Sequence, residues 1–251
     1  NETDPAGTFG QDTVTALNPL LEPIRSYTYE VGTKQIFMVG DGSGLVTSVS
    51  YDAAAYLTNV RNEIVPYRGG RFYFMAGRAR RTGAEIAVTA LAKGDLRFEN
   101  SLTLSRNRYT EYVVDSVHYG KPGATADYSG NRIVGIPDWF YGSNATWSPS
   151  KAPLGLAAQV GVQGTGGYWA DDANAVRVAE AHIVSASLRA DHLVRVGDAT
   201  VKGFLTIENL TDRRFIGSAF LNPDIVNGKA LAFDPGMPAT IMLSVSVSRG
   251  R

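Results

Sequence analysis

The stretch Leu96–Ser105 reads LRFENSLTLS, and its alternation decides the fold class. Leu96, Phe98, Leu102 and Leu104 fall on one face of an extended chain. Arg97, Glu99, Ser101, Thr103 and Ser105 fall on the other. Successive side chains of a strand point to opposite faces, so a period of two marks a strand with one apolar and one polar surface. The same period recurs outward in both directions. Toward the C-terminus it runs through Leu156, Ala158, Val160 and Val162, then Val184, Ala186 and Leu188, then Val201, Leu205 and Ile207. It ends with Ile241, Leu243, Val245 and Val247, which alternate with Met242, Ser244, Ser246 and Ser248. Toward the N-terminus it runs through Ala84, Ile86, Val88 and Ala90, and before them Val49, Tyr51, Ala53, Ala55 and Leu57. Nine strands are expected, centred near residues 29, 52, 82, 102, 142, 160, 186, 205 and 244. The helical period of 3.6 has little presence.

Bulk composition narrows the function classes. Among the 251 residues, 24 Lys and Arg balance 24 Asp and Glu, so the formal net charge is zero. A neutral chain without a basic stripe has no electrostatic footprint for nucleic acid. There is no cysteine, which excludes a disulfide scaffold and a thiolate metal site. No apolar run is long enough for a transmembrane helix. The opening NETDPAGTFG is polar, lacks a signal-peptide pattern and lacks an initiator Met, so a processed chain or a fragment is expected.

A soluble β-sandwich also alternates apolar-in and polar-out, so alternation alone does not reach a membrane. The connections do. GDGSG, AKGD and SPSKAP are short, while RNEIVPYRGG, the stretch 108–131, ADDANAVRV and the stretch 213–237 are long. Short turns on one side and long loops on the other mark an outer-membrane barrel. Aromatic residues gather at strand ends, at Tyr27, Tyr29, Trp139, Tyr141, Trp147, Tyr168 and Trp169. Amphipathic rings at headgroup level form the girdles of such barrels. With the long loops outside the cell, the first and last of nine strands run the same way. Unpaired backbone groups cost several kcal/mol each in hydrocarbon, so nine strands do not close a membrane barrel alone. Further strands, N-terminal to residue 1 or from another chain, are expected.

Four segments then carry a family resemblance. NPLLEPIRSYTYEVGTK (18–34) resembles the N-P-x-L-x-P-E-x-S-x-x-Y-E-x-G-x-K stretch of TonB-dependent outer-membrane receptors. AGRARRTGAEIAV (76–88) resembles their N-A-G-x-x-R-x-x-G-x-E-L strand. GNRIVGIPDWFYGSNATW (130–147) is similar to their G-x-x-L-P-x-x-P strand start. FLTIENLTDRRFIGS (204–218) is similar to the V-x-N-L-F-D-x-x-Y segment before their last loop and strand. Together the motifs span most of the chain in order. Ile24 replaces a family Glu, Leu210-Thr211 replaces Leu-Phe, and the end is Ser-Arg-Gly-Arg in place of a terminal aromatic.

The resemblance implies an all-β, antiparallel transmembrane β-barrel of the plugged 22-stranded type, of which this chain supplies the last nine strands. It implies residues 1–23 as an extracellular loop remnant and 24–251 as the C-terminal barrel portion, without a plug domain. It also implies a location in a Gram-negative outer membrane. The implied partners are the missing N-terminal strands and plug, the TonB complex acting through that plug, outer-membrane lipid and lipopolysaccharide, and a scarce ligand. The family most often imports ferric siderophores, and also cobalamin and sugars. No covalent chemistry and no cofactor are expected.

Candidate residues follow from these placements. The loop 108–131 holds Tyr109, Tyr112, His118, Tyr119 and Lys121, and loops on a rigid scaffold often bind ligand. Tyrosine rings suit stacking on an aromatic iron chelate, and Lys121 suits its negative charge. The alternative is a hydrated loop with girdle tyrosines. Asp171 and Asp172 sit at another loop tip, either as a cation site or as a solvated turn. Arg78, Arg80 and Arg81 either meet lipopolysaccharide phosphates or face the lumen. His118, His182 and His192 have no ligand spacing and no nucleophile motif. GVQGTGG (161–167) precedes no expected helix, which removes the phosphate-cradle reading. Asn144 and Asn209 open glycosylation-type triplets inside expected strands. Two further classes compete: a porin-like channel assembled from several chains, and a soluble carbohydrate-binding β-sandwich.

Overall fold

A computed structural model describes residues 22–39, 44–67, 72–115, 125–223, 225–226, 228–230 and 233–249. Most of the expected 1–23 loop segment lies outside these. Nine long strands follow in chain order: β1 (Arg25–Met38), β2 (Val46–Tyr67), β3 (Phe72–Ala92), β4 (Leu96–Glu111), β5 (Trp139–Trp147), β6 (Leu156–Thr165), β7 (Ala181–Val196), β8 (Ala199–Glu208) and β9 (Thr240–Arg249). They form one sheet in sequence order, and every neighbouring pair is antiparallel. All nine expected centres fall within these strands. β1 and β9 do not pair with each other, so the described wall is an open arc with two free edges.

Register joins the alternating faces of all nine strands into two surfaces. Leu102 lies opposite Ile86 on β3 and Tyr141 on β5. Farther along, Ala158 pairs with Leu188, Leu188 with Leu205, and Leu205 with Leu243. On the other surface Ser101 pairs with Ala87 and Gly142, and Gln159 pairs with Thr146 and Ser187. A one-residue slip at any pair would move that strand's apolar set to the wet side, so the faces themselves hold the register.

The apolar face has no cover. Ile241 and Leu243 are each 70% exposed and Val247 is 68% exposed. In a soluble sandwich these side chains would be the core. Among the described residues no second sheet or helix layer packs on them, so the expected alternative of a soluble sandwich fails. Such a face matches acyl chains. The main buried cluster lies instead at one end of the wall, where Val60, Val65, Ala76, Ala79, Tyr109, Tyr112, Val114, Ile133 and Val134 meet.

That end also carries the long connections, 112–138, 166–180 and 209–239. They hold short ribbons of their own: Val113–Asp115 with Thr125–Asp127, Tyr168–Trp169 with Arg177–Val178, and Ile216–Ala219 with Phe233–Pro235. The opposite end has tight turns. Gly94 and Asp95 take φ of 81° and 61° in the Lys93–Asp95 turn, and Gly197 takes 56° between β7 and β8. Positive φ at these points lets two strands reverse within a few residues.

One expectation needs correction. RNEIVPYRGG was expected to be a loop, but residues 61–67 continue β2 and pair with 72–78 of β3. This hairpin projects past the other strands because its root is packed. Val60, Val65, Ala76 and Ala79 share one core although their numbering is of mixed parity. Asn62, at φ 58°, lies where the facing of β2 changes. Its amide donates to Glu22 Oε2 at 2.9 Å and to the Pro23 carbonyl at 3.3 Å, tying the approach to β1 to this hairpin.

The glycines of GVQGTGG serve packing. A Cβ at Gly164 would lie 2.1 Å from the Tyr141 ring, and one at Gly161 would lie 2.4 Å from Asn144 Oδ1. Each glycine gives its cross-strand neighbour the space to lie flat on the sheet. Asn144 is therefore a β5 residue facing the neighbouring strand.

Candidate functional site

The loop end is organised around one carboxylate. Asp172 belongs to the connection after β6, Tyr109 to the end of β4, Tyr112 to the connection that follows it, and Asn222 to the connection after β8. Tyr109 Oη donates to Asp172 Oδ1 at 3.0 Å, and Tyr112 Oη donates to Oδ2 at 3.0 Å. Asn222 Nδ2 also donates to Oδ2, at 2.9 Å, while the Asp172 backbone N–H donates to Asn222 Oδ1 at 2.8 Å. Asn131 Nδ2 donates to the Asp172 carbonyl at 2.7 Å. Tyr109 and Tyr112 are each 1% exposed and Asp172 is 2% exposed.

A buried carboxylate is costly unless donors surround it. Here three side-chain donors, two from the end of β4 and its following connection and one from the connection after β8, converge on one residue. No lysine or arginine among the described residues forms an ion pair with it. Burial therefore dominates: the Asp172 carboxyl is pushed up to about 6, Tyr109, Tyr112 and Asn222 pull it down by hydrogen bonding, and Asp171 raises it further.

Around this knot the loops brace one another. The Tyr109 and Tyr112 rings stand 4.8 Å apart at 57°, and the Tyr112 and Tyr128 rings 5.4 Å apart at 59°. Arg132 N–H donates to Asn174 Oδ1 at 2.7 Å, and Asn174 Nδ2 donates back to the Arg132 carbonyl at 3.1 Å. Gly135 N–H donates to the Trp169 carbonyl at 2.9 Å.

The structure thus brings together three of the candidate residues, Tyr109, Tyr112 and Asp172, and turns their polar atoms toward one another. Asp171 is separate. Its Oδ1 accepts from Ala175 N–H at 2.9 Å and Val176 N–H at 2.7 Å, which caps the turn at the loop tip. His118, Tyr119 and Lys121 lie outside the described residues. Sequence reading missed Asn222 and Asn131, whose amides complete the knot. They are single polar residues in irregular segments, and no periodicity marks them.

The base of the last long connection is clamped by Asn209, just past β8 at φ 51°. Its amide donates to the Arg213 and Met237 carbonyls, both at 2.9 Å, and its Oδ1 accepts from Arg213 N–H at 2.9 Å. Asp212 Oδ1 accepts from Ala239 N–H at 2.9 Å. The Asn-Leu-Thr-Asp segment is therefore a loop-closing device, with Asn209 buried.

The three arginines separate by face. Arg81 pairs with Glu63 on the inner side, and Arg97 pairs with Glu99 at 2.7 Å on the polar face. Arg78 and Arg80 share the parity of Ala84 and Ile86 and so belong to the apolar surface. His182 lies on that surface as well. Its Nδ1 is 3.0 Å from Tyr141 Oη and its ring stacks on Trp139 at 5.6 Å, making a girdle cluster.

Comparison with known proteins gives one consistent result. The family described as TonB dependent receptor-like, beta-barrel matches residues 3–210. The ferrichrome outer membrane transporter/phage receptor of Escherichia coli (strain K12) is 28% identical over 218 residues, covering 86% of this chain and 26% of that protein. The ferrioxamine receptor of Yersinia enterocolitica is 26% identical over 208 residues, covering 82% and 26%. The crystal structure of the siderophore receptor PiuA from Acinetobacter baumannii superposes with a TM-score of 0.64 at 18% identity, over 89% of this chain and 28% of that one. The chain thus spans about a quarter of the length of the curated relatives it matches.

Proposed function

Since this chain belongs to the TonB-dependent receptor β-barrel family, an all-β wall of the Gram-negative outer membrane, we propose that it forms the C-terminal barrel portion of a receptor for active uptake of a scarce ligand, a ferric siderophore. One observation carries the ligand class: relatives named for ferrichrome and ferrioxamine each align with more than four-fifths of this chain. The wall supplies a lipid-facing surface, a wet lumen surface and the extracellular loops. Strands from outside this segment complete the ring, a plug fills it, and the TonB complex acts through that plug. The outer surface meets lipid and lipopolysaccharide. Residues 1–23 serve as the extracellular approach to β1.

Within the loops, roles divide between bracing and ligand contact. Tyr109, Tyr112 and Asp172 hold the connections in place, Asp171 shapes a loop tip, and His118, Tyr119 and Lys121 meet the ligand. Radiolabelled ferric chelate uptake, in receptor-deficient cells expressing the receptor that carries this chain, tests the proposal. Uptake should require the proton-motive force. Substituting Tyr119 and Lys121 with Ala should weaken ferric chelate binding about 10-fold, the scale of one or two lost stacking and charge contacts. Energy-independent leakage of unrelated small solutes would instead favour a porin-like channel and defeat the uptake reading.

A further inference from the structure

The apolar surface ends, on the loop side, in arginines. Arg61 lies directly opposite Arg78, and Arg80 directly opposite Arg108. Arg106 is two residues below Arg108 on the same face of β4. Like charges placed across a ladder destabilise it. Among the described residues only one of the five has a partner carboxylate, Glu111 at 3.3 Å from Arg78 Nε. Among the described residues the side chains of Arg61 and Arg106 make no hydrogen bond or ion pair. Arg108 donates from Nη1 to the Gly130 carbonyl, and its Nε is buried without a partner among the described residues. The arrangement has the form of a site whose counter-charge comes from elsewhere.

Two other observations say what that counter-charge is attached to. Tyr27 pairs with Asn59 and Tyr29 with Leu57, in the same cross-strand rows as Arg80 and Arg106. Tyrosines at this level mark the headgroup layer. Directly below, Ala53, Ala55 and Ala84 make a shallow trough between Val31 on one side and Leu102 and Leu104 on the other, a concavity of about 460 Å³. Arg80 and Ala84 are four residues apart, about 13 Å along a strand. Cationic groups thus stand one short step above an apolar groove, the outline of a phosphorylated lipid.

We propose that this face of β1–β4 binds a phosphorylated glycolipid of the outer leaflet, of the lipid A type. Its phosphates lie among Arg61, Arg80, Arg106 and Arg108, and an acyl chain lies in the alanine trough. Guanidinium forks match phosphate oxygens two at a time. With Arg78 neutralised by Glu111, four positive charges remain, close to what two phosphate monoesters carry. This deepens the outer-surface contact proposed above and rests on it.

The test uses the receptor that carries this chain, purified in mild detergent and loaded with defined lipids, with bound lipid counted by native mass spectrometry. Bisphosphorylated lipid A should be retained. Retention of its dephosphorylated form should be about 10-fold weaker, the loss expected when charge-assisted bonds go unmade. The variant carrying Arg80→Gln, Arg106→Gln and Arg108→Gln should lose retention to a similar degree, while Arg97→Gln on the polar face should not. The dephosphorylated lipid probes the wild-type protein, so a variant that misfolds leaves the proposal exposed. Equal retention of both lipid forms would overturn it, as would displacement of lipid A by millimolar inorganic phosphate. Ferric chelate uptake measured on the same samples separates this site from the transport reading: uptake should survive in the triple Arg→Gln variant.

Discussion

The wall and the loop knot solve opposite problems with the same kind of chain. In the wall, apolar side chains are exposed and backbone groups are satisfied by the ladder. In the knot, apolar and polar side chains are both buried, and polar satisfaction comes from side chains of distant segments. Leu243 on β9 is 70% exposed, whereas Asp172 in a loop is 2% exposed. This molecule's solvent changes along its length. Hydrocarbon surrounds the strands and water surrounds the loops, so only the loop end needs a conventional core.

The largest effect is expected from charge placed on each face of the wall. Leu102→Arg, toward lipid, should disfavour insertion by about 2–4 kcal/mol at mid-membrane, whereas Thr103→Arg, toward the lumen, should cost far less. Urea titration of the receptor folded in bilayers, read by gel mobility of unheated samples, checks this. Equal penalties would mean that the two surfaces are not the two solvents.

The next effect belongs to the knot. Asp172→Ala removes the acceptor for Tyr109, Tyr112 and Asn222 and leaves buried donors unmade. Unsatisfied buried groups cost about 1–3 kcal/mol each, and partial relaxation should leave about 2–3 kcal/mol of lost loop stability. Hydrogen exchange should show faster opening of 109–115, 128–136 and 166–176, with the amides of β7–β9 unchanged. Uniform loosening of the wall would refute the separation of the two regions.

How much of this was readable in the sequence follows from the same contrast. The wall was legible because a period of two, recurring strand after strand, leaves one assignment of faces: Leu102, Leu188 and Leu243 each fall on the apolar face of their own strand. The projecting hairpin was not legible. Arg61-Asn62-Glu63 and Arg68-Gly69-Gly70 look like turn chemistry, and nothing local says that Val65 and Ala76 join a distant core with Ile133. The knot was half legible. Tyr109, Tyr112 and Asp172 stood out as polar residues in long loops. That they turn toward one another depends on contacts across 50 to 63 residues, with Asn222 as the third donor. The motif Asn209-Leu210-Thr211-Asp212 was visible as a pattern, and its loop-closing role appears only when the Met237 carbonyl arrives at the Asn209 amide.

The smallest effect tests the knot without altering its shape. Burial raises the Asp172 carboxyl to about 6 from an ordinary 3.8. The folded loops therefore hold this proton more tightly than the unfolded chain does. A raised carboxyl contributes stability that is fully present below the unfolded value and is lost as pH rises through the folded one. Loop stability should accordingly fall between pH 4 and pH 7, by about 1 kcal/mol from pH 5 to pH 8. This is opposite in sign to a carboxylate held by a cation. Asp172→Asn keeps the size and hydrogen-bonding reach of the side chain but cannot titrate. Its loops should exchange amide hydrogens at rates independent of pH over that range, once intrinsic exchange is corrected. If the wild-type loops instead tighten as pH rises, a cation holds Asp172, and the knot is an ion-pair site.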